Sequence, residues 1–228
     1  LSNHKERRDN NYSRPVWFLN YSKIKEGITD ILLPRRCLNC GREGQYICDS
    51  CEILLNEASN ERLILPNVMT VWEYEGLVKK AILKVKQEGC YDIISGLVNM
   101  AFQKIELSLS PDTYITYVPV HKKKEKQRGF NQAELIARQI ARLAGRKVTP
   151  LLTMAADKPL QTSLISRDRV KNVKNAFLPL SNKDKPRSVL LVDDFYATGA
   201  TLKECMKILA NSGVKNVYGF TLARDFNI

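Results

Sequence analysis

The sequence predicts an α/β protein: a mostly parallel sheet covered by helices, with a small cysteine-rich module ahead of it. Three observations carry this. From about Val68 onward, segments with the composition of strands alternate with segments of helical spacing. One segment, Val189-Leu190-Leu191-Val192, is continuously apolar, as a strand buried on both faces must be. Four cysteines lie within a 15-residue window, Cys37 to Cys51, before the alternation begins.

Taken in order, Leu1 to Arg14 is polar and carries Lys5, Arg7 and Arg8, and residues 1–21 read as a disordered basic tail. Leu1 to Arg14 hold no apolar run followed by a small-residue cleavage site, so they do not read as a secretory signal. Ser22 to Leu33 has helical spacing at Ile24, Ile28, Ile31 and Leu32, and Pro34 stops it. Residues 22–60 are expected to form the cysteine module, with a short helix over Glu52 to Ser59. The main domain spans residues 68–228. Val68 to Tyr74 is β-branched and aromatic, hence a strand. Leu77, Val78, Ala81, Ile82 and Val85 mark a helix, and Ile93 to Leu107 a second. Tyr114 to Val120 is a strand. Asn131 to Ala144 is a helix with Asn131 as N-cap and Glu134 at the capping-box position. Ala200 to Leu209 is a helix with Gly213 where a C-cap falls, and Val217 to Leu222 closes the sheet.

The chain has 228 residues, 44% of them hydrophobic, enough for one ordinary core and a small appendage. No stretch approaches the ~18 apolar residues that span a bilayer. With six cysteines and no export signal, the expectation is reduced thiols or metal ligands in a soluble, cytoplasmic protein. The net charge of +12 favours anionic partners: nucleic acid, phosphorylated substrates or an acidic surface.

Cys37-x2-Cys40 and Cys48-x2-Cys51 are two knuckles of the kind that bind zinc. A two-residue gap turns both thiolates toward one point, and two such turns complete a tetrahedral shell. Four cysteine ligands leave no open position, so the expected Zn²⁺ is structural. Arg35, Arg36 and Arg42 lie nearby and offset thiolate charge.

After the apolar run come Asp193-Asp194 and then Ala197-Thr198-Gly199-Ala200-Thr201. Ligands of open α/β sheets bind beyond the carboxyl ends of strands. Adjacent carboxylates suit the neighbouring hydroxyls of a ribose, directly or through hydrated Mg²⁺. The small-residue turn lets backbone N–H groups cradle a phosphate, helped by the Thr198 and Thr201 hydroxyls. A 5-phosphoribosyl ligand requires both. The turn also looks like the phosphoribosyl pyrophosphate (PRPP) motif of type I phosphoribosyltransferases. Between Lys122 and Arg128 stand five cations and one Glu, in what reads as a loop after a strand, suited to a leaving diphosphate. The polar stretch Lys158 to Phe177 reads equally as a lid or a plain surface loop.

Together these segments resemble the ComF family of bacteria, which includes ComFC-like and GntX-like proteins. The resemblance rests on the four-cysteine knuckles; Leu77 to Gly89 with Lys79, Lys80 and Lys86; Val118-Pro119-Val120 leading to Arg128-Gly129-Phe130-Asn131-Gln132-Ala133; Gln161-Thr162, Arg167, Asn172-Val173 and Ala176-Phe177; and Asp193-Asp194. It implies a zinc-ribbon module before a type I phosphoribosyltransferase domain. It further implies that Asp193 and Asp194 meet the ribose or Mg²⁺, that Ala197 to Thr201 hold the 5′-phosphate, and that Val120 and His121 lie near the pyrophosphate. With these, Lys122 and Arg128 complete the expected PRPP contacts, and the acidic pair is the expected catalytic element. The run Lys122 to Lys126 departs from the family in having lysine where arginine is expected. Some members are linked to DNA uptake in natural transformation. Two functions follow as expectations: phosphoribosyl transfer to an unknown acceptor, and single-stranded DNA binding by a chain that keeps the PRPP site for regulation, with Tyr117 or Phe130 stacking on bases.

Overall fold

A computed structural model of the chain describes residues 34–57, 62–105, 109–155, 175–181 and 186–225. The expected basic tail, the helix over Ser22 to Leu33 and most of the candidate lid lie outside the described residues.

The elements are α1 (Asp49–Glu57), β1 (Arg62–Leu65), β2 (Val68–Glu73), α2 (Gly76–Glu88), α3 (Asp92–Lys104), β3 (Thr113–Tyr117), α4 (Lys122–Arg128), α5 (Gln132–Leu143), β4 (Leu152–Met154), β5 (Phe177–Pro179), β6 (Ser188–Tyr196), α6 (Ala200–Asn211) and β7 (Asn216–Arg224). The main sheet has the order β1-β2-β7-β6-β3. β2, β7, β6 and β3 run parallel, and β1 adds an antiparallel edge. The α/β expectation therefore holds, with a four-cysteine cluster at its N-terminal side.

The apolar run of β6 is central because both its faces are covered. Leu190 and Val192 join a core with α2, α3 and α5. Val189 and Leu191 join a second core with α6 and β5. Fully buried side chains such as Leu97, Ile136 and Leu191 contribute about 1.5–3 kcal/mol each. The cysteine module shares the first core through Ile47 and Leu55. It is tied there by Arg35 to Asp92 at 3.1 Å and by the Tyr46 hydroxyl donating to Cys90 Sγ at 3.4 Å.

Several expectations need correction. The basic segment Lys122 to Arg128 is a helix, not a loop. Its Lys, Glu, Gln and Arg are good helix formers, His121 Nδ1 caps its start, and Gly129 ends it at φ 81°. β3 stops at Tyr117 instead of Val120. Val118 still donates to the Val192 carbonyl at 2.9 Å, but Pro119 has no N–H to continue the ladder. β1 and the small antiparallel pair of β4 and β5 were not expected. The first helix starts at Asp49, so that Cys51 is helical, and α6 is capped by Ser212, one residue before Gly213.

Candidate ligand-binding cleft and metal centre

The parallel register brings the carboxyl ends of β3 and β6 side by side, with Tyr117 opposite Val192. Beyond them lies a cleft of about 450 Å³. Of the expected site residues, Val120, Arg128, Asp193, Asp194, Ala197, Thr198, Gly199, Ala200 and Thr201 line it. His121 and Lys122 are not among the lining residues. The His121 imidazole accepts from the Lys123 amide at 3.1 Å, and Lys122 faces solvent.

Successive strand residues point to opposite faces, so the acidic pair divides its environment. Asp194 follows Val192 toward α2, where Lys86 Nζ meets its Oδ2 at 2.7 Å. Burial works against the Lys86 charge, but the Asp194 carboxylate more than offsets it, and the ammonium's pKa is raised. Asp193 accepts the Asp194 amide at 2.9 Å. Its pKa stands well above the usual carboxylate range, because burial and the Asp194 charge outweigh that bond and the more distant Lys86. A carboxyl in that state is receptive to a hydroxyl or a hard cation.

The turn after β6 is shaped for close approach. Gly199 has φ 71°, and a Cβ there would stand 2.2 Å from the Tyr196 hydroxyl oxygen. The Ala200 amide donates to Thr198 Oγ1 at 3.3 Å. Among the described residues, the amides of Thr198, Gly199 and Thr201 have no backbone acceptor, as the start of a helix leaves them. The second wall is braced by Asn131. Its Nδ2 donates to the Val118 carbonyl at 3.0 Å, and its Oδ1 accepts the Ala133 amide at 2.9 Å.

Lys124, from the expected diphosphate-binding run, and Phe195 and Tyr196, between the acidic pair and the phosphate turn, also line the cleft, as do Lys86, Asn131, Gln132 and Phe177, to which the sequence assigned no ligand contact. For Lys86 a signal existed. It sits one turn beyond Ile82, on the edge of the apolar face of α2 formed by Val78, Ala81, Ile82 and Val85.

In the module, one sulfur from each of Cys37, Cys40, Cys48 and Cys51 lies within 4.8 Å of all the others. A tetrahedron of thiolates about 2.3 Å from one metal ion fits within that span. The thiols also resist sharing charge without a cation. Burial alone raises Cys37, yet backbone hydrogen bonds from Cys40, Cys48 and Asn39 bring its pKa down to about 6. The Asn39 side chain favours the Cys51 thiolate, but burial and the neighbouring cysteines push that thiol up to about 11. The donor set fits a soft, tetrahedral cation.

Among the described residues, no helix is long and apolar enough to cross a membrane. No protein-family model matches the chain. It is 30% identical over 199 residues to competence protein F of Haemophilus influenzae, covering 82% of this chain and 84% of that protein. It is 28% identical over 194 residues to competence protein ComFC of Bacillus subtilis, covering 83% and 78%. The DNA utilization protein YhgH of Escherichia coli O6:H1 is 33% identical over 118 residues, half of each chain. With this extent of similarity, and with the cysteine cluster standing ahead of an acidic-pair cleft in a parallel sheet, the chain belongs to the ComF family.

Proposed function

We propose that the chain binds PRPP in the cleft and transfers its 5-phosphoribosyl group to an acceptor, in the service of DNA uptake or utilisation. The observation that carries this is the shared cavity of Asp193, Asp194 and the turn Ala197 to Thr201. An acidic pair for a ribose and the amides of Thr198, Gly199 and Thr201, none with a backbone acceptor, for its phosphate belong to one cleft. In the transfer, the bond from C1 to the diphosphate breaks, pyrophosphate leaves with the bonding pair, and the acceptor bonds to C1. Arg128 and Lys124 stand on the wall where they would stabilise the leaving charge. Asp193 and Asp194 are hard oxygen donors that would hold Mg²⁺, directly or through water. Such an ion, when bound, neutralises diphosphate charge. Four thiolates suit Zn²⁺, which we assign to the module as a structural ion. The names of the relatives, competence protein and DNA utilization protein, support the wider role.

Titration calorimetry with PRPP, with and without Mg²⁺, tests the reading. The wild type should bind. The double variant Asp193→Asn, Asp194→Asn should lose binding by at least about a hundredfold, since both carboxyl groups that would meet the ribose or Mg²⁺ are removed. Undiminished affinity in that variant rules out the site.

A second reading, single-stranded DNA binding, is favoured by α4. That helix buries no residue, and Lys122, Lys123 and Lys126 face solvent. Phe130 follows it and meets the exposed ring of Tyr91 edge-on at 4.7 Å. Tyr117 and Phe130 are both half-buried, whereas Tyr91 is exposed and adds a third stacking candidate. Oligonucleotide affinity should fall steeply with salt, and the three lysines changed to alanine should flatten that slope. If no binding occurs at low salt, this reading fails.

A further inference from the structure

We infer that Gln132 is a ligand-binding residue of the cleft, its side-chain N–H donating to an oxygen of the ligand's diphosphate half. The inference rests on the PRPP reading and extends it to a residue outside the acidic pair, the phosphate turn and the basic helix.

Gln132 opens α5, is 7% exposed and lines the cleft. Its Oε1 accepts from Arg128 Nη1 at 3.2 Å. That bond sets the amide's orientation, because the reverse placement would turn the NH₂ group against a guanidinium that only donates. The NH₂ group is therefore aimed away from Arg128, and among the described residues Nε2 has no acceptor. A buried amide N–H without a partner is costly, and such groups in folded proteins call for an explanation.

The surroundings narrow that explanation. On its inner side Gln132 borders a void of about 10 Å³ lined by Ile82, Val85, Ile94, Leu97, Ile136 and Leu222. Asp194 is the one other polar residue there, and its carboxylate is already held by Lys86. On its outer side is the cleft. Two of the amides that α5 would offer an anion at its start are occupied, since Asn131 Oδ1 accepts from Ala133 and, at 3.4 Å, from Glu134. The Gln132 side chain thus adds a neutral donor to this wall. The same wall carries Arg128 and Lys124, and it is built by a different segment from the turn suited to the 5′-phosphate. Two cations and a fixed amide match an oxygen-rich dianion better than a sugar hydroxyl edge.

The test uses the full chain with Mg²⁺ and titrates PRPP, inorganic pyrophosphate and ribose 5-phosphate into the wild type, Gln132→Met and Gln132→Glu. Gln132→Met removes the donor at similar volume. Gln132→Glu keeps the acceptor for Arg128 but sets a carboxylate where the donor was. Gln132→Met should weaken PRPP and pyrophosphate about tenfold, the loss of one good hydrogen bond, and Gln132→Glu should weaken them further. Ribose 5-phosphate should stay within about twofold in Gln132→Met. Unchanged pyrophosphate affinity in both variants overturns the inference while leaving the PRPP site intact. Equal losses for pyrophosphate and ribose 5-phosphate, with a lowered melting temperature, assign Gln132 a structural role and also overturn it. A wild type that binds none of the three ligands removes the PRPP reading itself, and this inference with it.

Discussion

Asp193 and Asp194 are neighbours in the chain, yet the folded protein treats them differently. Lys86 neutralises Asp194 at 2.7 Å, whereas burial and Asp194 itself oppose the Asp193 charge. The raised pKa of Asp193 has a definite sign in stability. Its folded value lies above its unfolded one, so its favourable contribution is full below the unfolded pKa and is lost as pH rises through the folded value. At neutral pH the unliganded protein carries that loss. Asp193→Asn removes it and keeps an oxygen to accept the Asp194 amide. The variant should melt about 2–4 °C higher at pH 7, the shift that about 1 kcal/mol produces in a domain of this size. The gain should shrink as pH falls toward the unfolded carboxyl's own pKa, where the two states bind equal numbers of protons. Melting curves across pH check this, and a variant that melts lower at pH 7 contradicts the assigned environment. The acidic pair was readable from the sequence because it follows a buried strand directly. Its unequal electrostatics were not, because Lys86 belongs to another element.

At the scale of elements, α5 links structure to the site. Asn131 was legible as its N-cap, and its side chain does accept the amides of Ala133 and Glu134. Only half of the expected capping box forms, since the Glu134 carboxylate instead accepts Arg138 Nε at 2.9 Å. What the cap motif could not reveal is its second bond, from Asn131 Nδ2 to the Val118 carbonyl. That bond joins α5 to the segment leaving β3 and so holds the two parts of one cleft wall together. Asn131→Ala should cost about 1–2 kcal/mol in denaturant unfolding, the usual loss for such a cap. It should also weaken PRPP beyond what Asn131→Asp does, because aspartate keeps the cap but not the donor to Val118. Equal effects of the two substitutions would remove the bracing role. The neighbouring α4 was misread for a simple reason: charge density suggested a solvated loop, although the same residues have high helix propensity and a cap at each end.

For the molecule as a whole, the cysteine module is continuous with the core. Cys37, Cys48 and Cys51 are buried in the same cluster as residues of α2 and α3. Removing a bound metal therefore affects more than the knuckles. Chelation under reducing conditions should release one zinc per chain and lower the melting temperature, and it should expose apolar surface around Ile47 and Leu55 to a fluorescent dye. The far-ultraviolet signal of the sheet should persist at low temperature, since β2, β3, β6 and β7 make their own ladder. Absence of zinc in the purified protein, or an unchanged melting curve on chelation, would refute a structural metal.

The amino-acid sequence alone determined the kinds of chemical group in this protein: four thiols at zinc spacing, an acidic pair after a buried strand, and a glycine turn entering a helix. Each depends on residues close together in the chain, whose local geometry follows from spacing and backbone preference. The tertiary structure decided which other groups share their space. Lys86 reaches Asp194, and Gln132 joins the lining of the same cleft, because the strand order β1-β2-β7-β6-β3 brings α2 and α5 against one face of β6. That packing is a property of the assembled core, and no local pattern encodes it.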